Sequence, residues 1–205
     1  MSDRFQYKYR IPSARLNDWD YRRDGFYFIT ICTKGRQCDF GKIVDGKMEL
    51  SGAGVLADVL WHEIKNHIST VELGEFVVMP NHIHGILKLT NAVLDSDSGS
   101  GSVETLHATS LQSMSTSLQT PPSLVQPVVK NVQMAVISPK KGSVSVIVRS
   151  YKSAVSRHAR RLGFELEWQE RFHDHIIRGK EEYQHIAEYI VQNPAKWEED
   201  KFYSE

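Results

Sequence analysis

Apolar positions along the chain alternate between two periods, and the switches mark its elements. Gly25-Phe26-Tyr27-Phe28-Ile29-Thr30-Ile31-Cys32-Thr33 is dense in aromatic and β-branched residues, the composition of a buried strand. Lys34-Gly35-Arg36 breaks it. Phe40 to Val44 and Lys47 to Leu50 flank Asp45-Gly46, which supplies the left-handed positions of a tight turn, so a small hairpin is predicted. From about Gly52 to His67, Val55, Val59, Leu60 and Ile64 recur at helical spacing with Asp58, Glu63 and Lys65 between them, giving an amphipathic helix. Val71 to Met79 returns to strand character, Pro80 interrupts it, and His82 to Leu89 resumes it. A strand, a helix and two further strands imply a sheet with helices packed on one face.

The first 24 residues are polar and charged, with Tyr7, Tyr9, Trp19 and Tyr21 interspersed; they read as an arm that packs on a domain or clamps a ligand. Residues 91 to about 143 differ in kind. Serines and glycines punctuate a weakly periodic segment that ends in Pro121-Pro122 and Pro127, the pattern of a Ser/Pro-rich insertion, with a short strand expected at Val132 to Ile137. Order resumes at Ser143, where Val144, Ile147, Val148, Tyr151, Ala154 and Val155 predict a helix to about Arg161, ended by Gly163. Trp168 to Ile177 is an aromatic and apolar run suited to a strand or extended loop. Lys180 to Gln192 is the last helix, with Tyr183, Ile186, Ala187 and Ile190 inside and Pro194 at its end. Residues 1–205 are therefore expected to form a single domain carrying one insertion.

Composition removes alternatives rather than adding any. With 40% hydrophobic and 24% charged residues over 205 positions, the chain is large enough for one substantial core. Lys+Arg and Asp+Glu both number 25, which argues against a partner held by overall positive charge but leaves room for a local basic face. Cys32 and Cys38 are too few for a disulfide framework or a structural zinc site. No apolar segment follows Met1-Ser2-Asp3-Arg4, and no stretch approaches the roughly 18 apolar residues of a membrane span. A cytoplasmic protein without membrane association is expected.

Two groups of residues carry candidate chemistry. On a strand, alternation places His82 and His84 on the same face with Ile83 opposite. Two neutral imidazoles form half of a divalent-metal site; alone they are an incomplete shell and fit a polar surface better. On the last helix His185, Tyr189 and Asn193 are spaced i, i+4, i+8 and form one stripe. A phenol is a poor nucleophile near neutral pH, its pKa being about 10. It becomes useful toward a phosphodiester when a cation polarises the phosphate, and the product is a covalent phosphotyrosine.

Three strings in order carry a resemblance. Val78-Met79-Pro80-Asn81-His82-Ile83-His84-Gly85-Ile86-Leu87 resembles the signature of the HUH (histidine, hydrophobic, histidine) single-strand nucleases. More narrowly it resembles the tyrosine transposases of small insertion sequences and their relatives associated with repetitive extragenic palindromes. Trp168 to Arg178 and Tyr189-Ile190-Val191-Gln192-Asn193-Pro194 are similar to a second stretch of that group and to its nucleophile helix. The resemblance spans roughly residues 20 to 90 and 143 to 197. It implies a ferredoxin-like α+β core with an antiparallel sheet. It also implies cleavage and strand transfer of single-stranded DNA near hairpins, through a 5′-phosphotyrosine and with Mg²⁺ or Mn²⁺. His82, His84 and Asn193 would be metal ligands and Tyr189 the nucleophile. Relatives include homodimers that share active sites and monomers that complete the site within one chain. His185, His173 and His175 match no position with an assigned role.

The segment Lys140 to Lys180 holds ten Lys or Arg against four Asp or Glu. Arg149, Lys152, Arg157, Arg160, Arg161 and Arg171 are the DNA-contact candidates, with Trp168 and Phe172 available to stack on unpaired bases. Arg15, Arg22, Arg23, Lys34 and Arg36 form a second cluster suited to the foot of a hairpin. Two other readings remain: a nucleic-acid-structure binding protein of the same fold that does not cut, and a metal-dependent hydrolase of small phosphoesters.

Overall fold

The computed structural model describes residues 19–90 and 141–203. Most of the expected arm, nearly all of the insertion and its strand at 132–137 lie outside the described residues. The elements are β1 (Gly25–Cys32), the hairpin β2 (Gly41–Val44) and β3 (Lys47–Leu50), α1 (Gly52–His62), α2 (Ile64–His67), β4 (Val71–Val78), β5 (His82–Leu89), α3 (Val144–Arg161), β6 (His173–Ile177) and α4 (Lys180–Gln192). Short 3-10 turns cover Lys34–Arg36 and Asn193–Glu199. The helix expected over 52–67 is divided at Glu63, whose backbone stays α-helical (φ −74°, ψ −16°), so the division is a slackened turn. Of the extended run expected from Trp168, only its second half joins the sheet; Trp168 itself makes a single bridge to Thr33.

The main sheet has the order β4-β5-β1-β6, and every neighbouring pair is antiparallel. With α1 before β4 and α3 before β6, the chain follows the βαββαβ path of a ferredoxin-like fold, with β2-β3 as a separate ribbon. Strand alternation gives the sheet two differently used faces. Tyr27, Ile29, Ile31, Ile83 and Leu87 form the larger core with α1 and α3 residues such as Ala57, Trp61, Ile147, Val148 and Val155. On the other face Ile86 and Ile177 pack with Ile190 of α4, and Phe26, Phe28, Tyr183 and Ile186 close that smaller cluster. Helices α1 and α3 thus share one face as expected, and α4 crosses the opposite one.

Gly85 lets α1 approach the centre of the sheet. A Cβ there would lie 2.3 Å from Cζ2 of Trp61. The indole occupies that space, stacked on Phe76 with ring centroids 4.6 Å apart and edge-on to Tyr151 at 5.4 Å. At the strand end, Ser51 caps α1 by accepting a hydrogen bond from Gly54 N at 3.1 Å.

Candidate metal centre and nucleophile

The register of β5 against β1 pairs Cys32 with His82 and Thr30 with His84, so both imidazoles point to the face crossed by α4. Their Nε2 atoms are 3.0 Å apart, and both side chains are buried. Each Nδ1 has a partner: Asn81 Oδ1 at 2.8 Å for His82 and Thr30 Oγ1 at 2.9 Å for His84. This is the arrangement that presents imidazole Nε2 atoms to a cation while fixing the rings from behind. Phe202 lies over His82 with centroids 4.6 Å apart, and Trp197 stands at 6.0 Å from the same ring.

Tyr189, on the outer part of α4, brings its hydroxyl to 3.2 Å from His84 Nε2 and donates to Asp200 Oδ2 at 2.9 Å. One turn later Asn193 Nδ2 donates to the same carboxylate oxygen at 2.8 Å. Asp200 reaches the site because the 3-10 turn after Pro194 buries Trp197 and sends the chain back toward the sheet. Phe202 N then donates to Asp200 Oδ1 at 2.7 Å. One ligand atom from each of His82, His84 and Asp200 fits within 4.8 Å of the other two. The helix and the histidine strand therefore meet within a single chain.

Burial pushes the His82 imidazole down to about 4, with the Asp200 carboxylate opposing the shift. Burial and then the neighbouring His82 hold His84 well below the usual imidazole range. Both rings are neutral near pH 7, as ligation requires. Burial also raises the Tyr189 phenol well above its ordinary value, and Asp200 adds to the effect. Burial works to raise Asp200, but hydrogen bonds from Phe202 N–H, Asn193 and Tyr189 outweigh it and keep the carboxyl below its ordinary value. The proton of the Tyr189–Asp200 pair resides on the phenol.

The donor set fits a divalent cation. Two imidazole nitrogens and a carboxylate oxygen converge, and the buried Asn193 Oδ1 has no hydrogen-bond partner among the described residues, so a fourth oxygen is available nearby. Mixed nitrogen and oxygen donors suit Mn²⁺ and its transition-metal neighbours better than Mg²⁺, which favours oxygen. An open cleft of about 400 Å³ adjoins these groups, lined by Tyr189, Asn193 and Asp200 together with His185, Gln192 and Lys196.

Of the residues expected from sequence, His82, His84, Tyr189 and Asn193 come together, and His185 lines the adjoining cleft. His173 is paired with Thr30 in register and so shares the sheet face of His84; His175 is held by Glu182 at 2.7 Å. Arg149, Arg157, Arg160 and Arg161 are exposed on α3, across the sheet from the histidines, and Arg171 is exposed in the loop before β6. Lys152 is half-buried, donates to Gln169 O at 2.6 Å and lies 5.6 Å from the centre of the Trp168 ring. In the second cluster Arg22 is bound to Asp20 and Lys34 to Glu167, while Arg36 lies beside the site, donating to Lys201 O at 3.0 Å. Arg15 is outside the described residues. Asp200 was not anticipated: within Glu198-Glu199-Asp200-Lys201 it reads as one more solvated charge. The signal beside it is Phe202-Tyr203, an aromatic pair that needs a surface to pack on.

No family model matches the chain. An uncharacterized protein of Haemophilus influenzae is 36% identical over 196 residues, covering 93% of this chain and 92% of its own length. Among solved structures, a REP-associated tyrosine transposase bound to a REP hairpin has the same fold, with a TM-score of 0.52 over 91% of this chain and 74% of that one. Sequence identity to it is 18%, so the likeness is one of architecture: an antiparallel sheet with helices packed on it.

Proposed function

We propose that this chain, which belongs to the family of the uncharacterized Haemophilus influenzae protein, is a metal-dependent endonuclease and strand transferase of single-stranded DNA that works near hairpins. The observation that carries the reading is the Tyr189 hydroxyl, 3.2 Å from one candidate ligand, His84, and 2.9 Å from another, Asp200. A phenol placed among metal-ligating groups is suited to attack a phosphate held there. The solved structure of similar fold, a tyrosine transposase bound to a REP hairpin, supports the choice of DNA as substrate.

His82, His84 and Asp200 would hold Mn²⁺ or Mg²⁺, with the Asn193 carboxamide oxygen close by. When bound, the cation would polarise the scissile phosphate and offset the charge that develops on its oxygens. Tyr189 Oη then forms a bond to phosphorus while the bond from phosphorus to the 3′-oxygen of the neighbouring nucleotide breaks. The phenolic proton passes to the Asp200 carboxylate and on to water, and water protonates the departing 3′-oxygen, so the leaving strand ends in a 3′-hydroxyl. The 5′-phosphate stays on Tyr189 until another 3′-hydroxyl attacks it and releases the phenol, which joins the strands without an external energy source. All these groups come from one chain, so the reading requires no second subunit.

The test is a denaturation-resistant protein–DNA adduct formed from purified protein, Mn²⁺ and labelled single-stranded hairpin DNA. Tyr189→Phe is expected to abolish the adduct, with a fall of at least about 10³-fold, while hairpin binding survives. An adduct that persists in Tyr189→Phe, or none from the wild type over a panel of hairpins from its own genomic neighbourhood, overturns the proposal.

A further inference from the structure

Asn81 is wholly buried, and its carboxamide reaches His82 on one side and the backbone of Phe202 on the other. Its Nδ2 donates to Phe202 O at 2.8 Å and to Arg36 O at 3.3 Å. Both acceptors are backbone carbonyls, which cannot donate, so the carboxamide has only one chemically sensible orientation. That orientation turns Oδ1 toward His82 Nδ1, 2.8 Å away. An oxygen that only accepts requires the proton on Nδ1, which leaves the lone pair of His82 on Nε2, facing His84. Thr30, behind His84, imposes no such choice, because a hydroxyl both gives and accepts. The Asn81 backbone is fixed in turn: its carbonyl accepts from Thr33 N and from Thr33 Oγ1, each at 2.9 Å.

The same side chain acts on the other end of the centre. Phe202 O, which it holds, belongs to the short stretch whose N–H groups fold back on Asp200: Phe202 N on Oδ1 at 2.7 Å and Tyr203 N on the Asp200 carbonyl at 2.9 Å. We propose that Asn81 is a positioning residue that ties two ligands of the centre together, fixing His82 in its Nδ1–H form through one atom and anchoring the segment that carries Asp200 through the other. The inference rests on the reading of His82 and Asp200 as metal ligands, though the ring state of His82 does not depend on it. Aspartate keeps the acceptor but offers no donor to the carbonyls, and leucine offers neither.

The experiment combines nitrogen-detected NMR of the His82 ring, amide hydrogen exchange at Phe202 and Tyr203, and Mn²⁺ affinity read from the EPR signal of the free ion. In the wild type His82 is expected as the Nδ1–H tautomer. Asn81→Asp should keep that tautomer while the Phe202 and Tyr203 amides exchange at least about ten-fold faster. Asn81→Leu should lose the single tautomer and weaken Mn²⁺ binding by about 10- to 100-fold, the usual effect of removing a group that orients a ligand. An Nε2–H tautomer in the wild type, unchanged exchange in Asn81→Asp, or Mn²⁺ affinity within two-fold in folded Asn81→Leu overturns the proposal. If Asn81→Leu does not fold, the wild-type tautomer and Asn81→Asp still decide it. A wild type that binds no Mn²⁺ but shows the Nδ1–H tautomer sinks the metal reading and leaves the role of Asn81 at His82 standing.

Discussion

Folding carries His82 from water, where its pKa is near 6.5, into a site where burial lowers it to about 4. Above pH 6.5 the ring is neutral in both folded and unfolded chains and has no bearing on stability. As the pH falls toward 4, the unfolded chain takes up a proton that the folded chain refuses, so stability declines and then levels off. The loss from this ring is at most ~3 kcal/mol, and His84 acts in the same direction. Urea denaturation at pH 7 and pH 5 should show a larger loss for the wild type than for His82→Phe; equal losses would mean that the ring is not held neutral. His82, His84, Tyr189 and Asn193 were legible as candidates because strand and helix periodicity place each pair on one face and because three strings in order resemble one nuclease family. Asp200 was not, because its role comes from a turn in the chain after Pro194 that no local pattern encodes.

Elements with a strong period were the readable part of the fold. The strands at 25–32 and 82–89 and the helices at 144–161 and 180–192 follow the apolar pattern to within a residue or two. Less readable was how the elements meet. Nothing in the sequence says that α4 crosses one sheet face while α1 and α3 cover the other, since an amphipathic stripe shows that a helix is covered and not by what. Gly85 illustrates the same limit: it looks like a weak point in a strand, whereas it is the seat of Trp61. Gly85→Ala should therefore destabilise the protein by about 1–3 kcal/mol through overpacking. Trp61→Phe in that background should recover part of the loss, because the smaller ring vacates the site. A double-mutant cycle by chemical denaturation with no coupling between the two positions would contradict this packing.

Taken as a whole, the molecule separates its chemistry from its charge. The histidines, the phenol and Asp200 occupy one side of the sheet, and Arg149, Arg157, Arg160 and Arg161 project from α3 on the other. A net charge of zero conceals this division. On the proposed reading, DNA held by these arginines would lie across the sheet from Tyr189. Replacing the four arginines with glutamine should weaken hairpin binding. The slope of log affinity against log salt should fall by about 0.9 for each duplex phosphate that is no longer neutralised; an unchanged slope would reduce the patch to a solvated surface. The distribution along the chain matters as much as that in space. Tyr189, Asn193 and Asp200 all follow β6, so the four strands of the sheet, the histidine pair and the residues of the larger core precede them in sequence. On the proposed reading, a proteolytic nick between β6 and α4 would sever the nucleophile and the Asp200 ligand from the two histidines without removing a strand or a residue of the larger core.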